Sequence, residues 1–245
     1  MYSIIADTHT HSISCDHGFS TVAENAAAAS AAGLKAIAMT EHAPALVGSP
    51  SFIHFRSLRI IPRYLSGVLM IRGAEVNILD FDGNLDLDDK LLAGLEWVIA
   101  SYHPPVIDPG SEKDHTNGWM KVANNPHVDV IGHCGAPRYA FEHKPVIQEF
   151  ARTGKIVEIN ANSVAERPGS DVNCKAIAVL CAEYDVPVVV NSDAHYCGNI
   201  GRVEAALAIL EDISFPEKLI LNADYERFIT ALEKVNGGTF LDCDD

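Results

Sequence analysis

Two histidines near the start of the chain, His9 and His11, are the first residues whose type and spacing indicate chemistry. They follow a short apolar run at 2–6, which predicts a buried first strand. Side chains alternate between the two faces of a strand, so His9 and His11 face the same way. Two imidazoles on one face suit a shared metal ion. A His-x-His pair alone is equally typical of ordinary half-buried histidines.

Histidines and carboxylates also lie at the ends of later apolar runs, and their number favours the metal interpretation. The predicted strands lie near 3–8, 35–40, 68–75, 97–102, 128–133, 155–160 and 187–192. Every predicted strand except the sixth is ended or followed by a side chain that binds metals. The candidate ligands are His9, His11, His17, His42, Glu75, His103, His133, Asp193 and His195. Chance explains one or two such positions, but not most of the eleven histidines.

These strands alternate with helical patterns, which predicts βα units and a parallel sheet covered on both faces. The predicted helices lie near 20–32, 86–95, 116–124, 143–153, 172–185, 202–211 and 224–235. No glycine-rich phosphate loop follows the first strand, so the pattern favours a closed or incomplete barrel over a dinucleotide-binding sheet. In a barrel the carboxyl ends of all strands converge on one face, which would bring the candidate ligands together.

The size and chemistry of this ligand set restrict the metal. A single zinc site takes three or four protein ligands, so the candidates suffice for three ions, especially if Glu75 bridges two of them. Imidazoles with carboxylates suit Zn²⁺, Mn²⁺ or Fe²⁺ rather than Mg²⁺ or Ca²⁺.

The ordered motifs resemble those of the PHP (polymerase and histidinol phosphatase) family. They are Asp-x-His-x-His-Ser at 7–12, Thr-Glu-His at 40–42, Gly-x-Glu at 73–75, the strand ends His103-Pro104 and His133, and Ser192-Asp193-x-His195. Length and motif order resemble the stand-alone bacterial phosphatases of the YcdX type. The resemblance covers nearly the whole chain and implies one domain over residues 1–245, a distorted (β/α)7 TIM-like barrel with a trinuclear, usually zinc-loaded site.

The resemblance also implies how the ligands are shared. His9, His11, Glu75 and Asp193 would hold one ion, Glu75, His103 and His133 a second, and His17, His42 and His195 a third. Glu41 stands where Asp is commoner in the family, and we expect it to point away from His42.

Such a site predicts hydrolysis of phosphomonoesters by a metal-bridging hydroxide, with Asp193 and Glu75 as catalytic residues. Candidate substrate contacts are His54 in the long connection after the second strand, Arg59 and Arg63 on one face of a predicted helix, and Arg138 after His133. Surface ion pairs are an open alternative for each arginine. Two further candidates are Asp7, as partner of an imidazole or in another buried hydrogen bond, and the pair Asn160 and Asn162, as substrate contacts.

Composition restricts the partners and the compartment. The net charge of −15 argues against nucleic acid or an anionic membrane, and bound cations would be needed to admit a small phosphorylated substrate. No apolar run is long enough to span a bilayer, and the start lacks a signal peptide. The six cysteines are scattered without a Cys-x-x-Cys pair, which predicts reduced thiols in a cytoplasmic protein. The family resemblance hints at a homo-oligomer.

Three alternatives stay open at this point. The same metals could run a phosphodiesterase or nuclease reaction, as in PHP domains attached to DNA polymerases. Amidohydrolase chemistry usually needs a lysine at a strand end, and none of the predicted strands ends in one. The third alternative is a non-catalytic metal-binding domain.

Overall fold

Seven parallel strands form a nearly closed barrel at the centre of the computed structural model, which describes residues 2–238. The seven barrel strands are β1 (Ala6–Thr10), β2 (Ala36–Met39), β4 (Val68–Asn77), β5 (Trp97–Ser101), β6 (Val130–Ile131), β7 (Ile156–Asn160) and β8 (Val188–Asn191), and the short β3 (Tyr64–Leu65) lies beside them. They pair in the order β1-β2-β4-β5-β6-β7-β8, and β3 pairs antiparallel with β4. The barrel closes where the His11 N–H donates to the Ala194 carbonyl at 2.9 Å. The predicted TIM-like barrel is confirmed, and β3 is an unpredicted addition.

Helices cover the outside of this barrel. They are α1 (Val22–Ala31), α2 (Phe52–Ser57), α3 (Asp89–Leu92), α4 (Glu112–Ala123), α5 (His143–Thr153), α6 (Ala161–Glu166), α7 (Ser170–Glu183), α8 (Glu204–Asp212) and α9 (Tyr225–Val235). The first begins with a capping box between Thr21 and Glu24, and α5 ends at Gly154 with a φ of 72°. α2 and α6 were not predicted. Among residues 2–238, no helix is long and apolar enough to cross a membrane.

Every second residue of a strand points into the barrel interior. Near the amino ends of the strands these inward residues are apolar, and nearer the carboxyl ends several of them are candidate metal ligands. One buried apolar cluster joins the inward-facing strand residues to α9, which packs Phe228 and Leu232 beneath them. The strand members of this cluster are Ala6, Ala36, Ala38, Leu69, Ile71, Trp97, Ile99, Val130, Ile156 and Val189. Continuing the same alternation towards the carboxyl ends gives Glu75 on β4, His103 after β5 and Asp193 after β8. The apolar floor and the polar site are thus successive layers of one barrel.

The connection after β2 differs from the prediction. Arg59 lies in a single 3₁₀ turn, Leu58–Ile60, and the chain is already extended at Ile61, with φ −74° and ψ 128°. Pro62 explains this end, because a proline disfavours helical backbone at the residue before it. Arg59 and Arg63 therefore do not share a helical face, and that prediction was wrong.

Candidate metal centre

The structure brings all nine candidate ligands together at the carboxyl ends of the barrel strands, around the buried carboxylate of Glu75. Glu75 Oε1 lies 2.9 Å from His133 Nε2 and 3.3 Å from His103 Nε2. Glu75 Oε2 lies 2.6 Å from His42 Nδ1 and 3.3 Å from His9 Nε2. The two oxygens of one carboxylate thus face two different sets of imidazoles.

Besides an overlapping group of His11, His42 and Glu75, three compact groups of ligand atoms together contain all nine candidate ligands. They follow the division implied by the family resemblance, except that Glu75 is not grouped with His9, His11 and Asp193. Within each group the ligand atoms lie within 4.8 Å of one another. The groups are His9, His11 and Asp193; Glu75, His103 and His133; and His17, His42 and His195. Another compact group joins Cys15 to His11 and His195, and burial raises the pKa of the Cys15 thiol to about 12.

Hydrogen bonds on the outside of the cluster orient the imidazoles. His9 Nδ1 lies 2.7 Å from Glu158 Oε1, and His103 Nδ1 lies 2.7 Å from Asn77 Oδ1. His195 Nδ1 lies 3.0 Å from the Asp193 carbonyl oxygen. Because each acceptor takes the Nδ1 proton, each Nε2 faces the cluster and is the nitrogen available to a metal ion, as in metal-binding histidines.

Whether the residues fit metal ions can be judged from the buried polar atoms that face the interior of the cluster. His103 Nε2 lies 3.3 Å from His133 Nε2 in the buried cluster. Several fully buried atoms form no hydrogen bond of acceptable geometry in the described protein and lie instead against other ligand atoms of the cluster: His9 Nε2, both ring nitrogens of His11, Glu75 Oε2 and His195 Nε2. Burying polar atoms without partners is costly unless a cation satisfies them. The donor set, seven imidazoles with two carboxylates, therefore fits divalent ions of the zinc type.

The electrostatics of the cluster put the carboxylates in the form that binds metals. Burial opposes ionisation of Glu75, but the imidazoles of His9 and His103 hold its pKa well below the usual range. The pKa of Asp193 is likewise well below its usual range, because His9 and His11 outweigh its burial. Burial lowers the pKa of His11, which keeps that ring neutral. Ionised carboxylates and a neutral imidazole are ready to bind cations.

Two of the candidate ligands have unusual backbone conformations. His133 has a φ of 25° and Asp193 a φ of 55°, which non-glycine residues rarely adopt. The His133 N–H donates to Glu158 Oε2 at 2.8 Å, which helps to hold this conformation. Strained backbone of this kind concentrates at functional sites.

The sixth strand of the barrel, for which no metal ligand was predicted, supports the site through a carboxylate outside the ligand groups. Glu158 on β7 is fully buried and accepts hydrogen bonds from His9, the His133 backbone, Asn160 and Asn191. It continues the inward-facing parity of Ile156, and that parity could have identified it in the sequence. Asn160 caps α6 through Ser163 and bonds Glu158, so it is part of the scaffold.

The four predicted substrate contacts lie away from the cluster. Arg63 forms a forked pair with Glu96, at 2.7 and 3.0 Å, beside the amino end of β4. Arg59 lines a separate cavity with Arg72. His54 lies on α2 and Arg138 is exposed in the turn 137–139, and neither lines the cavity in front of the cluster.

Asp7 and Glu41, which neighbour candidate ligands in the sequence, both form buried hydrogen bonds outside the ligand groups. Asp7 does not bond an imidazole: it accepts from Ser192 and from the Gly201 N–H, and so joins β1 to the segment after β8. Glu41 accepts from the Ser12 N–H at 2.8 Å rather than joining the ligand groups, as expected.

A cavity of about 580 Å³ opens directly in front of the cluster. Its inner wall consists of His17, His42, His103, His133, Asp193 and His195. Its outer wall consists of Leu46, Val47, Pro105, Asn162, Arg167 and Asn199. Arg167, which follows α6, is the one arginine or lysine among the described residues that line it, and the sequence analysis did not single it out.

Residues 7–162 match the PHP domain family, and the relatives extend this match over almost the whole chain. A probable phosphatase of Photobacterium profundum is 41% identical over 231 residues, covering 94% of each chain. A probable phosphatase of Acetivibrio thermocellus is 39% identical over 224 residues, covering 91% of this chain and 93% of its own. The chain belongs to the PHP family.

A solved phosphatase structure has the same fold. The histidinol phosphate phosphatase of Lactococcus lactis, solved with zinc, L-histidinol and phosphate, superposes with a TM-score of 0.61. It is 13% identical and covers 86% of this chain and 94% of its own. At this identity the likeness concerns the barrel, while family membership rests on the matched residues.

Proposed function

We propose that this PHP protein is a metal-dependent phosphatase that hydrolyses small phosphomonoesters at a trinuclear, zinc-loaded site. The observation that carries the proposal is the cluster of nine ligand side chains opening into a cavity whose outer wall includes the guanidinium of Arg167, which has no ion pair with another described residue. The names of the relatives and the zinc and phosphate of the Lactococcus structure support it.

The proposed catalytic residues are Glu75 and Asp193. When bound, the metal ions would supply Lewis acidity and a water that ionises near neutral pH to act as the bridging nucleophile. Glu75 faces two ligand groups, and Asp193 lies 3.3 Å from His11 Nε2, so each would both hold ions and fix their spacing. Mn²⁺ or Fe²⁺ would suit the same donors.

Arg167 is the proposed phosphate-binding residue in place of Arg59, Arg63 and Arg138. It lines the cavity together with His133, and no ion pair joins its guanidinium to a carboxylate among the described residues. A planar guanidinium can bind two phosphate oxygens at once and so orient the ester towards the cluster.

The geometry is less suited to the alternative reactions. A nuclease needs a basic track for the strand, whereas this cavity offers one guanidinium in a chain of net charge −15. No lysine lies among the described residues lining the cavity, so the lysine that amidohydrolase chemistry usually uses is missing there. A non-catalytic metal store would have no need for an open cavity with a phosphate-binding side chain.

The reducing environment of the cytoplasm is the proposed location. The five cysteines among residues 2–238 are free thiols, which fits a compartment that keeps thiols reduced.

The deciding experiment compares p-nitrophenyl phosphate with bis-p-nitrophenyl phosphate on protein reconstituted with Zn²⁺. We expect kcat/KM to favour the monoester by at least about 10-fold and Arg167→Ala to lower it by about 10-fold or more, because charge-assisted phosphate contacts are strong. Arg138→Ala, which removes an exposed guanidinium outside the cavity, is the matched control. Equal turnover of both esters, or full activity of Glu75→Gln with unchanged metal content, would overturn the proposal.

A further inference from the structure

Three polar side chains on the outer wall of the cavity have no side-chain partner within residues 2–238. No hydrogen bond or ion pair joins the side chains of Asn162, Asn199 or Arg167 to another described residue. Other asparagines of the barrel are used internally: Asn77 holds His103, and Asn222 bonds the backbone of Ala6 and Val190. The two free amides therefore face the space that a ligand would fill.

The charges of the outer wall exclude some leaving groups. Its members are Leu46, Val47, Pro105, the two amides and Arg167, with no carboxylate among the described residues. A leaving group with an amine would find no anion to pair with there. A leaving group with its own carboxylate or second phosphate would compete with the reacting phosphate for one guanidinium, in a chain of net charge −15.

We infer that the substrates are monophosphates of uncharged polyhydroxy alcohols, such as sugars or polyols, and that Asn162 and Asn199 determine this specificity. Each amide can both donate to and accept from hydroxyl groups. Val47, which is 83% exposed, and Pro105 offer apolar contact to the carbon face of such a molecule. The cavity of about 580 Å³ has the volume typical of small-molecule sites, so it has room for a hexose-sized group. The inference rests on the proposed function and restricts the substrates from phosphomonoesters in general to those of uncharged polyhydroxy alcohols.

The inference separates this protein from its Lactococcus neighbour, whose structure contains L-histidinol, an alcohol with an amine. A matched set of six-carbon phosphates tests the difference: glucitol 6-phosphate, hexyl phosphate and 6-aminohexyl phosphate. On the zinc-loaded enzyme we expect kcat/KM to be highest for glucitol 6-phosphate, by about 10-fold over either analogue, because about two hydrogen bonds are gained. Preference for the amino compound, or equal rates for all three, would overturn the inference.

Variants of the two asparagines connect the preference to these side chains. Asn162→Ala and Asn199→Ala should each lower the ratio of kcat/KM for glucitol 6-phosphate to kcat/KM for hexyl phosphate by about 5-fold. Asn199→Gln keeps the amide and should recover part of the loss. Asn199→Asp should raise kcat/KM for 6-aminohexyl phosphate, whereas Val179→Asp, which adds the same charge on an exposed position of α7, should not. Alanine variants that slow both esters equally would show a structural role instead.

A binding measurement provides a readout without turnover. The phosphonate of glucitol, in which a methylene replaces the ester oxygen, cannot be hydrolysed, and calorimetry should show about 5-fold weaker binding to Asn199→Ala than to the unmodified protein. Unchanged binding would contradict the assigned role of Asn199. If the enzyme fails to hydrolyse even p-nitrophenyl phosphate, the proposed function fails, while binding of the phosphonate still tests the specificity of the cavity.

Discussion

At the scale of single residues, Glu158 holds the candidate metal centre in its shape without belonging to a ligand group. One oxygen accepts from His9 and Asn191, and the other accepts from the His133 backbone and Asn160. Burial opposes its ionisation, yet the neighbouring His9 lowers the pKa of Glu158 below the usual range. An ionised carboxylate here makes the His9 imidazole a stronger donor to a metal.

Replacing Glu158 by Gln should therefore weaken metal binding. The amide keeps the size of the side chain but can no longer accept from every donor, and it removes the negative charge next to His9. We expect zinc affinity to fall by about 10–100-fold, measured by competition with a chelator. Glu183→Gln, on the exposed face of α7, should leave it unchanged. Equal affinities of the unmodified protein and Glu158→Gln would contradict the positioning role.

Asp129 makes the folding stability of the protein depend on pH. Its Oδ2 accepts from the Val98 N–H at 2.8 Å at the amino end of the barrel, and burial raises its pKa to about 7. The folded state therefore holds a proton that the unfolded state has already released. This stabilisation is present at low pH and is lost as the pH rises towards about 7.

Asp129→Asn tests this dependence, because an amide cannot ionise. We compare the free energy of unfolding of the variant with that of the unmodified protein. This difference should shift by about 1–2 kcal/mol in favour of the variant when the pH is raised from 5 to 8, after allowance for partial exposure of Asp129. Urea unfolding at both pH values measures the difference, and Asp108→Asn at an exposed loop position is the control. A difference that does not vary with pH would show that Asp129 has an ordinary pKa.

At the scale of elements, α9 closes the end of the barrel opposite the metal centre. Phe228 and Leu232 are fully buried against interior residues such as Trp97, whose ring centroid lies 6.0 Å from that of Phe228. The floor and the metal centre occupy opposite ends of the same strands. They should therefore respond separately to mutation.

Phe228→Ala should lower the free energy of unfolding by about 3–5 kcal/mol, because it leaves a cavity in a well-packed floor. Metal content per folded chain should not change. Denaturant unfolding together with metal quantification checks both statements, and Lys234→Ala on the exposed side of α9 is the control. Loss of metal without loss of stability would contradict this separation of floor and site.

The elements also show what the sequence could and could not reveal. Strands such as β4 and β8 were predictable because each contains an apolar run, and the inward-facing parity of that run, continued towards the carboxyl end, reaches Glu75 and Asp193. The helical turn ends at Ile61 because Pro62 follows it. The prediction of a helix relied on the four-residue spacing of the two arginines and overlooked this proline. Arg167 could not be found, because its place on the cavity wall depends on the length of α6.

At the scale of the whole molecule, the candidate metal centre links folding to metal binding. The cluster collects buried carboxylates and lone pairs that have no protein partner, within a chain of net charge −15. Cations that bind only the folded state stabilise it by mass action. The same ions would offset the negative field that opposes a phosphate substrate.

Metal removal should therefore lower Tm. At a free zinc concentration about 100 times the dissociation constant, one site contributes about 2.7 kcal/mol to the free energy of unfolding. Calorimetry of the protein with zinc and after chelation should show the difference, and His127→Ala, whose ring lies outside the ligand groups, should show the same difference. Identical Tm values with and without zinc would mean that the cluster binds no metal.

Anomalous diffraction at the zinc absorption edge, on crystals equilibrated with Zn²⁺, tests the central claim most directly. Three peaks should lie among the nine side chains, one in each compact ligand group, with Glu75 between two of them. A map without a peak near Glu75, or with zinc only on surface histidines such as His127 and His143, would contradict it.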